Sequence, residues 1–192
     1  MGLLKFTFEN AKLKGIWHFS LPSGHTCPGA ESCKTFADKI TGKIMDAQKA
    51  VDGVIFRCYA AMDEARRPNV RKTRWENFDL LKTAKTTKAM AALIIRSIKA
   101  SGLRRGGTLR VHIGGDYFSR AYFRAWMIAA KFFPQITFYS YTKSINFLVG
   151  EDLPDNFVFT CSQGGKYDKL IPKSNTKSAK VFFSTEEAEA LG

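Results

Sequence analysis

The 192-residue sequence has no apolar run approaching the roughly 20 residues that a membrane-crossing helix requires. Met1 to Gly15 carries lysines and lacks the unbroken apolar stretch of a signal peptide. These absences exclude a spanning helix and a secretory leader, so the expected location is cytoplasmic, with no membrane partner. Acidic residues are scarce: 17 Asp and Glu stand against 30 Lys and Arg, a net charge of +13 with a pI near 9.7. Such a balance points to a polyanionic partner, nucleic acid or a small phosphate-bearing ligand. There are only four cysteines, and in a reducing compartment they read as metal ligands or buried thiols rather than two disulfides. No Ser-His-Asp set, phosphate-binding P-loop, internal repeat or low-complexity tract is present.

What is there is enough for one core. With 45% hydrophobic residues, the chain reads as a single α/β domain over 1–192. Leu4 to Phe8 and Gly15 to Leu21 predict an opening strand pair, ended by the turn Pro22-Ser23-Gly24. Thr41 to Phe56 reads as a hairpin-like excursion within 39–57, with a short helix over Asp46 to Val51 as the alternative. A helix from Cys58 to about Arg67 stops before Pro68. Asn77 is positioned to cap a long helix ending at Gly102, with Leu81, Ala84, Ala91, Ile94, Ile95 and Ile98 at helical spacing and Lys82, Lys85, Lys88 and Lys99 opposite.

Leu109 to Ile113, Ile136 to Tyr141, Phe157 to Thr160 and Val181 to Phe183 read as strands, and Ser119 caps a helix that presents Phe123, Trp126, Ala130 and Phe133 on one face. Strands separated by helices imply parallel pairing. The expected fold is therefore α/β: a partial (half) barrel or an open, mostly parallel sheet with flanking helices. Gly192 falls barely two turns into a final helix begun by Ser184-Thr185-Glu186-Glu187, which leaves open a missing terminal element.

In parallel α/β folds ligands collect at the carboxyl ends of the strands, and the unusual residues recur there. His25 to Cys33, Gly114-Gly115-Asp116, Thr142-Lys143-Ser144 and Cys161 to Gly165 each follow a strand. Cys27, Cys33 and Cys58 suit a soft metal or an iron–sulfur cluster, with Cys161 a reserve fourth ligand. Their spacing, five residues and then twenty-four, matches no standard zinc ribbon or ferredoxin pattern. A cluster of the 4Fe-4S type leads; zinc is the alternative, with His25 able to complete a three-cysteine, one-histidine site. The plainer reading makes Cys58 and Cys161 small buried residues.

Glycines at 114 and 115 let a backbone approach a ligand closely, while Asp116 either faces the rim or serves the dipole of the following helix. Thr142, Lys143 and Ser144 can hold a carboxylate or phosphate. His18 and His112 read as packed strand residues, and Trp17, Trp75 and Trp126 as core, although Trp75 in the basic Arg71-to-Arg74 stretch could stack on a base. Candidate nucleic-acid contacts are Arg71, Lys72, Arg74, Lys82, Lys85, Lys88, Arg104 and Arg105.

Leu21-Pro22-Ser23-Gly24 through Cys27-Pro28-Gly29-Ala30, then Phe56-Arg57-Cys58-Tyr59-Ala60-Ala61, Val111 to Asp116 and Phe138 to Ser144, resemble the phage family called gene product 88. That resemblance places the protein in the cytoplasm of a host cell and implies no activity. A more distant similarity is to radical S-adenosylmethionine enzymes, whose partial barrels carry three cluster cysteines after the first strand and a Gly-Gly-Glu after the second. It implies that Cys27, Cys33 and Cys58 hold the cluster and that Gly114, Gly115 and Asp116 contact S-adenosylmethionine; Ser140 and Thr142 are further candidate contacts to that cofactor. Asp116 and Lys143 are then the catalytic candidates. Two features depart from that pattern: a long excursion precedes Cys58, and Asp replaces Glu. The competing reading is a non-catalytic nucleic-acid-binding protein with a closed iron–sulfur or zinc site, so catalysis itself stays open.

Overall fold

The structure, a computed structural model, describes residues 2–48, 56–182 and 185–190. Strands β1 (Thr7–Phe8) and β2 (Trp17–Phe19) come first, followed by the short strands β3 (Thr35–Ala37) and β4 (Ile44–Asp46). Three helices follow: α1 (Tyr59–Arg66), α2 (Pro68–Ala84) and α3 (Thr87–Ala100). The chain then alternates through β5 (Gly107–Val111), α4 (Arg120–Phe132), β6 (Ile136–Thr142), β7 (Phe157–Ser162) and β8 (Lys177–Ala179), and ends in α5 (Thr185–Glu189).

Six strands form one sheet in the order β1-β2-β5-β6-β7-β8, antiparallel between β1 and β2 and parallel throughout the rest. The sheet is open, so of the two expected forms the protein takes the mostly parallel open sheet with flanking helices. Period-2 alternation sets its faces. Leu109 and Val111 of β5, Ile136 and Phe138 of β6, and Phe157, Phe159 and Cys161 of β7 are buried with Ile94 and Ile98 of α3 and Phe123, Trp126 and Ala130 of α4 in one core. The intervening residues of β5 to β7 face away from that core.

Local chemistry explains several boundaries. Ser119 accepts a hydrogen bond from Tyr122 N and starts α4 as its sequence predicts. Pro68 occupies the first turn of α2, where a missing N–H costs nothing. The single helix expected from Asn77 to Gly102 is two helices. Lys85 takes φ +56° and Thr86 caps α3 by accepting from Ala89 N, so the chain breaks where a hydroxyl competes for the backbone. Asn77 lies inside α2, and its carboxamide instead clamps the opening segment, accepting from Lys5 N at 2.8 Å and donating to Lys5 O and Ser20 O.

The last sheet strand is also displaced from expectation. Lys177–Ala179, not Val181 onward, pairs with β7; Val181 and Phe182 lie outside any strand, and Phe183 is outside the described residues. An exposed polar edge strand carries no apolar alternation to read. The excursion is a hairpin, but its paired residues begin earlier, Thr35 opposite Asp46 and Ala37 opposite Ile44. Asp46 belongs to β4 rather than to a helix, and positions 49–51 of that alternative helix lie outside the described residues. Among the described residues no helix is long and apolar enough to cross a membrane.

Candidate functional site: a thiol-lined cavity at the strand ends

The loop after β2 is tied down by its own backbone. Leu21 N donates to Gly114 O at 2.9 Å, joining the end of β2 to the loop after β5. Thr26 closes a turn, its hydroxyl donating to Pro22 O at 2.7 Å, and Cys27 N donates to Gly24 O. Gly24 has φ +73°, and a Cβ there would stand 2.3 Å from Thr35 O, so glycine is required for the close approach of the hairpin. Lys34 Nζ donates to Cys27 O at 2.8 Å. Cys58 N donates to Thr35 Oγ1, and Cys58 is the N-cap of α1.

These constraints bring Cys27, Cys33 and Cys58 to the wall of one cavity of about 270 Å³, shared with Gly114, Gly115, Asp116, Lys143, Arg110, Tyr59 and Tyr141. The thiols interact electrostatically. Burial pushes the Cys27 thiol well above its usual range, and the neighbouring Asp116 and Cys58 charges push it further. Cys33 is raised by burial, with the Lys143 ammonium opposing and Cys58 reinforcing. Ionised together, these sulfurs require a positive centre among them; soft donors of this kind fit a thiophilic metal. Among the described residues no three His, Cys, Asp or Glu side chains are gathered around a single ion position. A tetrahedral zinc with 2.3 Å bonds would need its sulfurs within about 4 Å of one another.

Asp116 is buried and bound on both oxygens. Oδ1 accepts from Thr142 Oγ1 at 2.6 Å and from Tyr117 N at 2.8 Å, and Oδ2 accepts from Lys143 N at 2.9 Å. Burial raises its pKa while these bonds lower it. The carboxylate therefore fastens the loop after β5 to the loop after β6; it does not sit in the first turn of α4. Lys143 Nζ donates to the carbonyls of Ser162 and Gln163, so the ammonium is held at the end of β7 beside Cys33. Gly115, at φ +78°, leaves a would-be Cβ only 2.5 Å from Thr26 Oγ1, and at Gly114 a Cβ would meet Arg74 Cζ at 2.9 Å. Both glycines serve close packing of the two loops as well as lining the cavity.

Other expected members lie elsewhere. Cys161 does not line the cavity: it points to the helix-covered core and contacts Ser174 Oγ at 3.3 Å and Thr176 Oγ1 at 3.1 Å. The His25 ring packs edge-on against Phe36 and Trp75 and also stays outside the cavity. Ser140 is a core hydroxyl donating to Val111 O. Trp75 packs against His25 and Phe78 rather than standing free. His112 is buried as expected, though just past the strand at φ +68°, with Nε2 3.0 Å from Tyr122 OH.

Two of the basic candidates are structural. Arg71 donates to the carbonyls of Glu64, Lys39 and Ile40, and Arg74 pairs with Glu64 at 2.7 Å and Asp63 at 3.2 Å. Both are buried, because carbonyl oxygens of α1 and the hairpin converge on them. Lys72, Lys82, Lys85, Lys88, Arg104 and Arg105 are exposed. Sequence reasoning missed Glu64, a fully buried carboxylate that accepts from Ser23 N at 2.9 Å and whose Oε2 has no partner. It also missed Arg110, which strand alternation between Leu109 and Val111 would have placed on the face opposite the core.

Fold and cavity together define an open-sheet α/β protein whose thiols and Gly-Gly-Asp loop meet at the carboxyl ends of parallel strands. The profile of the phage family described as gene product 88 matches residues 3–192, and the chain belongs to that family. No curated protein and no solved structure matches the chain.

Proposed function

We propose that the chain holds a 4Fe-4S cluster through Cys27, Cys33 and Cys58, leaves one coordination position open, and binds S-adenosylmethionine there to act on a nucleotide or nucleic acid. One observation carries this reading: three thiols from two separated segments line the same cavity as Gly114, Gly115, Asp116 and Lys143, while Cys161 lies outside it. Three sulfur donors lining one cavity suit an iron–sulfur cluster, which is the reading taken here over zinc. When bound, such a cluster supplies an electron to the cofactor's sulfonium.

The chain's own residues would do the rest. Lys143 offsets thiolate charge beside Cys33 and offers a donor to a carboxylate. Asp116 keeps Lys143 in place through its backbone N–H. The glycines let main-chain groups come close to the ligand. The net charge of +13 and the exposed Lys72, Lys82, Lys85, Lys88, Arg104 and Arg105 support a nucleotide or nucleic acid as the partner.

The test is protein purified without oxygen, with iron and sulfide counted, followed by calorimetry with S-adenosylmethionine. The expected result is about four irons per chain by cluster stoichiometry and cofactor binding that requires them. A fully loaded protein that neither binds nor cleaves S-adenosylmethionine contradicts the cofactor half of the reading. Absence of bound iron after reconstitution contradicts all of it.

A further inference from the structure

Parallel sheets are ordinarily covered on both faces, yet here α3 and α4 cover one face and, among the described residues, the other is left open over β6 and β7. Register places His18, Arg110, Tyr139 and Val158 side by side across that open face, from β2 to β7. Tyr141 and Thr160 form the next row toward the strand ends. Tyr141 is 43% exposed and Val158 56%, an unusual state for apolar side chains on the middle strands of a sheet.

Arg110 is the anomaly in this face. Its guanidinium lies 5.2 Å from the Tyr141 ring centre and 6.0 Å from that of Tyr139. None of the ion pairs among the described residues includes it, and its Nε is buried with no hydrogen-bond partner. The contrast with the neighbouring Arg74 is direct: Arg74 is the more deeply buried residue, and spends its donors on Glu64, Asp63 and Ala60 O. Cation–π contact holds Arg110 against the rings but accepts none of its directional N–H bonds. A donor left this way is costly, and a planar guanidinium is suited to two-pronged pairing with a carboxylate or phosphate. Arg110 and Tyr141 also line the thiol cavity.

We propose that Arg110 is an anion-recognition residue on the open sheet face, where a small planar ligand bearing a phosphate or carboxylate pairs with its guanidinium and packs its ring on Tyr141. The inference deepens the function proposed above, and rests on it only in taking this ligand as the substrate of the adjoining site. A small molecule is favoured over a polymer because Arg110 lines a cavity of about 270 Å³ together with the thiols and does not stand among the exposed lysines.

The experiment is calorimetric titration of the full chain with adenosine monophosphate, adenosine and inorganic phosphate, in protein of counted iron content and in iron-free protein. Adenosine monophosphate should bind at least tenfold more tightly than adenosine. Arg110→Gln should reduce its affinity to the level of adenosine, with circular dichroism unchanged. Tyr141→Ala should weaken both nucleoside ligands and leave inorganic phosphate unaffected. No binding of adenosine monophosphate in either state, or equal affinity in Arg110→Gln and the native chain, overturns the inference. Iron loading without Arg110-dependent binding overturns this inference and leaves the cluster reading standing. Arg110-dependent binding in a protein that never loads iron supports this inference while contradicting the cluster.

Discussion

The Thr142 hydroxyl donates to Asp116 Oδ1 over 2.6 Å, while the adjacent Lys143 N–H binds the other oxygen of the same carboxylate. Two strand-end loops are thereby joined through one buried side chain. Asp116→Asn keeps the shape but turns an NH2 toward a backbone donor, whichever way the amide is flipped. The expected cost is about 1–3 kcal/mol, read by urea denaturation, and Thr142→Val should cost about the same. A change under about 0.5 kcal/mol in both variants would mean that the two loops are held by other contacts.

Gly115→Ala should be more damaging than Gly114→Ala. At Gly115 the new methyl meets Thr26 and Leu21 at 2.5 to 2.9 Å with φ at +78°, so strain and overlap combine. At Gly114 the nearest obstacle is the end of the Arg74 side chain, which can yield in part. Thermal denaturation of both variants measures the difference, expected at about 1–3 kcal/mol. Equal losses would contradict the distinction between backbone strain and side-chain crowding.

The basic residues divide into two classes with opposite signatures. Replacing Arg74 by Ala leaves Glu64 buried without its cation and should cost about 3–5 kcal/mol. Reversing the exposed Lys82, Lys85 and Lys88 to Glu should change stability by only about 0.5 kcal/mol each. If these lysines meet nucleic acid, each reversal lowers the slope of log affinity against log salt by about 0.9. Binding measured across a salt series checks this, and a slope unchanged by the triple reversal would remove this helix pair from any such interface.

His112 supplies a pH dependence. Burial lowers its pKa from 6.5 to about 3, so the folded protein keeps the ring neutral while the unfolded chain takes up a proton below pH 6.5. Its contribution is fully present above pH 6.5 and is lost as pH falls toward 3, at about 1.4 kcal/mol per pH unit. His112→Asn tolerates the positive φ of +68° and does not titrate. Stability of the variant, followed from pH 7 to 4, should fall less steeply than that of the native chain; parallel curves would contradict the buried neutral ring.

Legibility in the sequence followed the physics of each element. Ser119 before an apolar stripe announces α4, and the Leu109, Val111 alternation announces a half-covered strand, because caps and periodicity are local signals. The break at Lys85 and the edge strand Lys177–Ala179 were not legible, since one depends on a single residue's positive φ and the other on pairing with β7. At the site, strand-end placement groups the three cysteines with Gly114, Gly115, Asp116 and Lys143, and these residues line one cavity. Placement at a strand end does not say which face a side chain takes, and on that count Cys161 and Ser140 fall on the core side. Arg71 and Arg74 looked like surface charge beside Trp75; their burial is created by α1 and the hairpin folding over them.

The most direct test of the account is iron content, measured after anaerobic reconstitution, in Cys27→Ala, Cys33→Ala, Cys58→Ala and Cys161→Ala. On the proposed assignment each of the three cavity thiols contributes a ligand, so each of the first three variants should lose most of its iron and some stability with it. Cys161, bonded to Ser174 and Thr176 on the other face of the sheet, should be replaceable with iron content unchanged. Iron retained at the native level in all three cavity variants, or lost in Cys161→Ala alone, would contradict the assignment of the cavity as a metal centre.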